Sequence, residues 1–346
     1  MNTILITGGN GFLGQHLIKA LSEEKEECQI KVICRNKHDS YYYYDIHSFP
    51  NVEVIYGIDI SKYDIIEPHF NGINTVFNLA GMVSFNRRDK QKLININVEG
   101  TSNVLQACKV NKVKRLIHVS STAALGFSKQ IIDENYKFEW NNEDRKNKYS
   151  YSKHLGEKII ENEIENEMEN RRESDIKSEI KIKTIIVNPS LIMGPGDTIN
   201  SLKLISSINN KLVPFNPPGS NSIVDVRDVA KALVFLMKKE EASGKYILNS
   251  ASLSFKDLNN IIARELKVPE INKILPHYSY RWLLLGATLY ELLSKNPKLT
   301  RENVYYSFKD RIHSSEKIKN IGFSFNYSPQ QTISDTINFL KKSKLI

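Results

Sequence analysis

The sequence is short of the features that would place it in several large classes. Its 346 residues include only three cysteines, Cys28, Cys34 and Cys108, and no CxxC pair. That excludes a disulfide framework and a zinc site of the usual spacing, and leads us to expect a reducing compartment, the cytoplasm. Only Ile4, Leu5, Ile6 and Thr7 precede the first glycines, so no signal-peptide core is expected. The longest apolar run, Trp282 to Ala287, is far below the ~20 residues that span a bilayer, and no transmembrane segment is expected. The histidines, His38, His47 and His118 among them, lack ligand spacing, and no metal is expected.

What is present is an ordinary globular composition, 40% hydrophobic and 25% charged, which excludes collagenous and globally disordered chains. The length fits two domains at roughly 150 residues each, or one large α/β domain with an elaboration. A net charge of +9 is compatible with nucleic acid, an anionic membrane face or a phosphorylated ligand. Lys and Arg are dispersed and no nucleic-acid motif accompanies them, so no nucleic acid is expected.

Short apolar runs alternate with amphipathic stretches through the first half. Strands are expected at Ile4–Thr7, Ile30–Cys34, Val52–Tyr56, Thr75–Leu79, Arg115–Ser120 and Lys183–Asn188, with helices starting near Gly11, Ser61, Lys90 and Tyr149. Successive βαβ units of this kind predict a doubly wound parallel sheet. Val224–Val226, the helical pattern Arg227–Lys239 and Tyr246–Asn249 read as one more β-α-β excursion. The sheet domain is therefore expected to be discontinuous, 1–188 plus 223–249, with a small, mostly helical lobe from 189–222 plus 250–346. The charged stretch from Glu157 to Lys181 reads as a solvated helix extension or surface insert. Tyr41–Tyr44 reads as a loop cover or a specific contact.

Thr7-Gly8-Gly9-Asn10-Gly11-Phe12-Leu13-Gly14 follows the first strand and opens the first helix. The glycines fit GxGxxG from Gly9 or TGxxGxxG from Gly8, and the physics is shared. Glycine lets the backbone turn tightly and approach a pyrophosphate, while the helix start offers N–H groups and a partial positive charge. About twenty residues further on, dinucleotide sites place an acid for the ribose hydroxyls or a base for a 2′-phosphate. That window holds Arg35 and no carboxylate before Asp39. A guanidinium can hold a 2′-phosphate through paired hydrogen bonds, so NADP is predicted over NAD. The alternative is that Arg35 stacks on adenine and tolerates both.

Taken together, these residues resemble the extended short-chain dehydrogenase/reductases, the NAD-dependent epimerase/dehydratase family, over nearly the whole chain. Further matching segments are Asp59-Ile60, Asn78-Leu79-Ala80-Gly81, Asn97 to Thr101, Val119 to Gly126, Tyr149-Ser150-Tyr151-Ser152-Lys153, Asn188 to Asp197 and Val224 to Ala230. The resemblance implies a Rossmann-type fold and a cofactor groove formed by Gly8, Asn10, Gly11, Phe12, Leu13, Gly14, Arg35, Asp59, Ile60, Leu79, Ala80, Gly81, Tyr149, Lys153 and Pro189. Asp59 and Ile60 would meet adenine, and Pro189 would lie by the nicotinamide.

Tyr149 and Lys153 share a helix face at i and i+4, whereas Tyr151 points elsewhere. A free tyrosine, with a pKa of about 10, is a poor base at neutral pH; a nearby ammonium and an oxidised nicotinamide would lower it. Ser120, Ser121 and Thr122 compete for the third role, and family alignment on Gly126 selects Ser121, leaving Ser120 as a structural or cofactor contact. The implied reaction is hydride exchange between nicotinamide and a carbonyl carbon, with Tyr149 exchanging the proton.

Ala123-Ala124 stand where sugar-nucleotide 4,6-dehydratases carry Asp-Glu, and Pro217 to Ser222 offers no cation where epimerases hold a diphosphate. The chain therefore resembles the dihydroflavonol-reductase and 3β-hydroxysteroid-dehydrogenase branch. Met82, Val83, Phe85, Ala124, Leu125, Phe127, Leu191–Met193 and the Trp282–Leu293 helix predict an apolar pocket for a hydrophobic carbonyl compound. That helix is otherwise core, a lid or a peripheral membrane contact. Alternatives are a nucleotide-sugar epimerase and a non-catalytic dinucleotide sensor; the latter typically loses the tyrosine or the glycines, both kept here. A homodimer through the helices near Lys90 and Tyr149 is a further expectation.

Overall fold

The computed structural model describes residues 2–24, 28–37, 43–173, 182–295, 297 and 299–346, and the side chains of 166–173 are not described. His38, Asp39, Tyr41, Tyr42 and the stretch 174–181 of the charged segment lie outside the described residues.

The main sheet is built from β1 (Asn2–Thr7), β2 (Cys28–Cys34), β3 (Val52–Tyr56), β4 (Thr75–Asn78), β5 (Arg115–Val119) and β6 (Lys183–Pro189). A short β7 (Leu191–Met193) and β8 (Ser220–Asp225) follow, then β9 (Gly244–Leu248) and β10 (Ala251–Ser254). Helices on the sheet are α1 (Phe12–Ser22), α2 (Tyr63–Ile66), α3 (Lys90–Ile94), α4 (Gly100–Val110), α5 (Lys148–Glu173) and, after α6 (Asn200–Asn209), α7 (Val226–Lys238). The chain closes with α8 (Phe255–Leu266), α9 (Tyr280–Leu293), α10 (Arg301–Ser307), α11 (Glu316–Asn320) and α12 (Pro329–Lys342).

The seven-stranded sheet has the order β3-β2-β1-β4-β5-β6-β9, and its pairings are parallel throughout. The predicted doubly wound fold is therefore the observed one. Strand alternation explains why it is covered on both faces. Ile4 and Ile6 of β1 join one core with Ile30 and Val32, against α1 and α7. Leu5 joins the opposite core with Ile33, Leu116 and Ile186, against α2, α4 and α5. The strand order reverses between β1 and β4, which opens a crevice at their carboxyl ends.

The strand expected at Val224–Val226 differs from expectation. It runs Ser220–Asp225 as β8 and pairs with β7 and β10 in a separate three-stranded sheet, while β9 alone returns to the main sheet. The polar alternation of Ser220, Ser222 and the short β7 gave too little apolar pattern to show this pairing. Behind the small sheet, Met193, Ile205, Ile223, Ile262, Ile333 and Leu340 form a third core, which holds α6, α8 and α12 together as a lobe. Arg227 pins that lobe: it makes paired hydrogen bonds to Asp225 at 2.9 and 2.7 Å, an ion pair to Asp335 at 2.8 Å, and lies 3.6 Å over the Tyr327 ring. The Val224–Ala230 motif is thus structural at its arginine.

Candidate active site

The glycine turn sits at the crevice. Gly8 has φ +68°, and a Cβ there would lie 2.9 Å from Ala80 Cα. Gly14 packs so close to the strand that a Cβ would come within 2.3 Å of the Gly9 carbonyl oxygen. Gly11 precedes α1 without a side-chain cap, so the N–H groups of Phe12, Leu13 and Gly14 have no helical acceptor. A bare backbone, an uncapped helix start and the open sheet edge together fit the pyrophosphate of a dinucleotide. The Leu13 side chain packs against the core and Asn10 donates to the Asn36 carbonyl at 2.8 Å, so these residues face the crevice with backbone.

Arg35 is exposed at the end of β2, and among the described residues its guanidinium makes no ion pair. Asp59 caps Ser61, accepting from its N–H at 2.9 Å and its hydroxyl at 2.8 Å. Ile60 is buried against Gly100. Leu79, Ala80 and Gly81 leave β4 along the crevice floor, where the Ala80 N–H donates to the Thr7 hydroxyl at 3.0 Å. Pro189 closes β6 and is buried.

The three candidate catalytic residues converge. Ser121, just past β5, caps the turn Thr122–Leu125 through the Ala123 N–H at 3.1 Å, and stands close enough to the Tyr149 phenol to lower its pKa. Its carbonyl accepts from Asn188 Nδ2 at 3.0 Å. Ser120 is buried and its hydroxyl has no partner among the described residues, while Thr122 is buried within the turn. Phe85 stands edge-on to Tyr149 with ring centroids 5.5 Å apart. Tyr151 turns away onto Trp140 and His154, as its register requires.

Lys153 is buried, and its ammonium donates to the Val119 carbonyl at 3.0 Å. Burial lowers its pKa to about 8, opposed by Glu157 one turn further on. The Tyr149 phenol is raised by burial, with the neighbouring Ser121 opposing and the charge of Glu302 adding to the rise. Lys153 is aimed at the main chain, and the cation whose charge lowers the phenol is Arg311.

Arg311 and its neighbours were not anticipated from sequence. Glu302 of α10 is buried and accepts from Ser150 N at 3.2 Å, Ser150 Oγ at 2.8 Å and Tyr149 N at 3.3 Å. Burial pushes its carboxyl up to about 7. The Arg311 guanidinium lies 4.9 Å over the Tyr306 ring. These positions are more than 150 residues from Tyr149 in sequence, so no local spacing signals them. Asn97, quoted within its motif but given no role, lies in a π-turn spanning Asn95–Glu99. It clamps Met82 through both backbone groups at 2.8 and 3.0 Å and donates to Ser152 at 2.9 Å.

The expected apolar lining is only partly at the site. Phe85 stands against Tyr149, but Phe127 packs against Phe138 and Tyr305, Met193 is in the lobe core and Leu125 packs with Ile132 and Ile247. In α9 only Ala287 and Glu291 are buried, whereas Trp282, Leu285, Leu289 and Leu293 are exposed. That helix is therefore not core, because it packs through one narrow strip. Among the described residues no cluster of His, Cys, Asp and Glu could hold a metal ion, and no helix is long and apolar enough to cross a membrane.

Comparison with known proteins agrees with this geometry. The anthocyanidin reductase of Arabidopsis thaliana is 27% identical over 321 residues, covering 84% of this chain and 81% of its own. The crystal structure of gox2253 superposes with a TM-score of 0.79 at 24% identity, each chain covered completely. The Bordetella bronchiseptica enzyme WbmG, solved with NAD and UDP, superposes with a TM-score of 0.72 at 16% identity, over 99% of this chain and 94% of its own. At these identities the structures show the shared fold. The model of the 3-beta hydroxysteroid dehydrogenase/isomerase family matches residues 5–276, and the chain belongs to that family, within the extended short-chain dehydrogenase/reductases.

Proposed function

We propose that this chain is an NADP-dependent oxidoreductase that interconverts a ketone or aldehyde and an alcohol on a hydrophobic small molecule. The observation that carries the reading is the hydrogen bond from buried Lys153 to the Val119 carbonyl, which holds the start of α5, and with it Tyr149, at the carboxyl end of β5 where Ser121 stands, at the same edge of the sheet as the uncapped start of α1. A bound dinucleotide would supply or receive the hydride at the carbonyl carbon. Tyr149 gives its O–H proton to the carbonyl oxygen in reduction and takes it back in oxidation. Ser121 donates to that oxygen and holds it in line with the phenol. Lys153, fixed by Val119, orients the nicotinamide ribose, and Arg35 receives the 2′-phosphate that distinguishes NADP from NAD. The reductase name of the Arabidopsis relative supports this direction of chemistry.

Absence of an Asp-Glu pair at Ala123-Ala124 supports a carbonyl reductase over sugar-nucleotide elimination. Retention of the glycine pattern and of Tyr149 supports catalysis over dinucleotide sensing. We further assign 1–188 plus 223–249 to cofactor binding and 189–222 plus 250–346 to substrate binding, with β8 crossing that boundary. The protein acts in the cytoplasm, as a homodimer through α3 and α5, the helices that start near Lys90 and Tyr149, and the exposed leucines of α9 are its peripheral membrane contact. Screening hydrophobic ketones and secondary alcohols by nicotinamide absorbance tests the reading; turnover of nucleotide-diphosphate sugars and of no ketone or alcohol would overturn it.

A further inference from the structure

A guanidinium beside an acid/base tyrosine is a large local charge, and in a mostly buried position it requires a counter-charge or a full set of acceptors. Arg227 shows what a satisfied arginine looks like in this fold, with two carboxylates on it. Arg311 has neither. Its Nε is buried without a partner, and among the described residues no carboxylate lies within ion-pair distance of its guanidinium. Glu302, the nearest acid by charge, spends its oxygens on Ser150 and the Tyr149 N–H.

The backbone at Arg311 is held firmly. Its N–H donates to Ser220 Oγ at 3.3 Å, and its carbonyl accepts from Ser222 Oγ at 2.9 Å. The side chain lies over Tyr306, on the same helix as Glu302, which accepts from Ser150 and from the Tyr149 N–H. His313, tied to Ser222 at 3.0 Å, is held neutral by burial and by the same cation, its pKa lowered to about 3. Lys309 is already engaged, 4.6 Å over the Phe127 ring and 5.4 Å over Tyr305. A guanidinium with a fixed backbone and no carboxylate is therefore left over, lying on the face of Tyr306 and near enough to Tyr149 for its charge to lower the phenol.

We propose that Arg311 is the anion-binding group of the substrate pocket, and that the preferred substrate is a hydrophobic carbonyl compound bearing a carboxylate, which Arg311 holds by paired hydrogen bonds. This deepens the reductase reading and rests on it. The carboxylate is bound and not consumed. A guanidinium suits it better than an ammonium would, because its planar fork matches both oxygens.

The test uses the full chain loaded with NADP and two aromatic probes of one shape, benzoate and benzamide, titrated calorimetrically. Wild type is expected to bind benzoate roughly ten- to hundredfold tighter than benzamide, the range of a charge-assisted pair. Arg311→Gln should bring the two probes together while leaving the Kd for NADPH unchanged, Arg311→Lys should keep part of the difference, and Lys309→Gln should leave it intact. Equal binding of the two probes by wild type overturns the proposal, as does a preference lost in Lys309→Gln but kept in Arg311→Gln. Neutral ketones are assayed in parallel with NADPH. Their turnover without a benzoate preference overturns this inference alone, whereas failure to turn over any ketone or keto acid overturns the reductase reading itself.

Discussion

The two sides of the crevice are built by opposite means. On the cofactor side, one stretch from Thr7 to Gly14 does most of the work with its backbone, and the side chains around it are satisfied locally: Asn10 by Asn36, Asp59 by Ser61. On the substrate side, side chains arrive from two distant places, Phe85 after β4, and Glu302, Tyr306 and Arg311 from the lobe. Of these groups Arg311 carries unmet hydrogen-bonding capacity, at its buried Nε. A site made of backbone demands small residues at fixed spacing. A site made of converging side chains demands only a fold.

Breaking the shared edge of the two sides should have the largest effect. Tyr149→Phe removes the proton donor that both readings require, and turnover should fall by about 10²–10⁴-fold, the usual contribution of a positioned acid or base. NADPH affinity, measured by fluorescence titration, should change little. Near-normal turnover would sink the mechanism.

The cofactor side should be intolerant of bulk. Gly14→Ala places a methyl 2.3 Å from the Gly9 carbonyl oxygen, which the backbone must move to admit. A loss of about 1–3 kcal/mol in urea unfolding is expected, as for overpacked interiors, together with weaker NADPH binding. Unchanged stability would show that the helix start is looser than its packing indicates.

Glu302 distinguishes the substrate side by pH. Its carboxyl is raised from 4.5 to about 7 by burial, so between those values the folded chain holds a proton that the unfolded chain has released. Its contribution is complete below pH 4.5 and is lost as pH rises through 7, amounting to about 3 kcal/mol at roughly 1.4 kcal/mol per unit. Glu302→Gln should flatten that part of the stability profile and leave the variant more stable than wild type at pH 8. An unaltered profile would assign the slope to another group.

The smallest expected effect is also the most selective. Arg35→Ser should raise KM for NADPH by roughly tenfold, the loss of one charge-assisted hydrogen bond on an exposed side chain, and leave KM for NADH alone. Equal kcat/KM for the two cofactors in wild type would show that Arg35 does not read the 2′-phosphate.

Legibility in the sequence follows the same division. The doubly wound parallel sheet, the helix starts and the glycine turn were readable because β1, β2, β5 and β6 are apolar on both faces and glycine spacing is a backbone requirement. Ser121, Tyr149 and Lys153 could be named as candidates because i and i+4 share a helix face and the family resemblance, aligned on Gly126, selects the serine. What could not be read was the direction of the Lys153 ammonium, which depends on where the Val119 carbonyl lies. Nor could Arg311 be singled out among 48 basic residues, since its significance lies in lacking the partners that Arg227 has. The exposed face of α9 was legible as apolar, but not as outward.

The most direct test of the account follows NADPH oxidation across a panel of hydrophobic ketones with wild type and Tyr149→Phe side by side, with NADPH affinity measured on both proteins. The account predicts ketone-dependent oxidation by wild type and its loss in Tyr149→Phe at unchanged NADPH affinity. Oxidation that persists in the variant, or a wild type that turns over only nucleotide-diphosphate sugars, would contradict it.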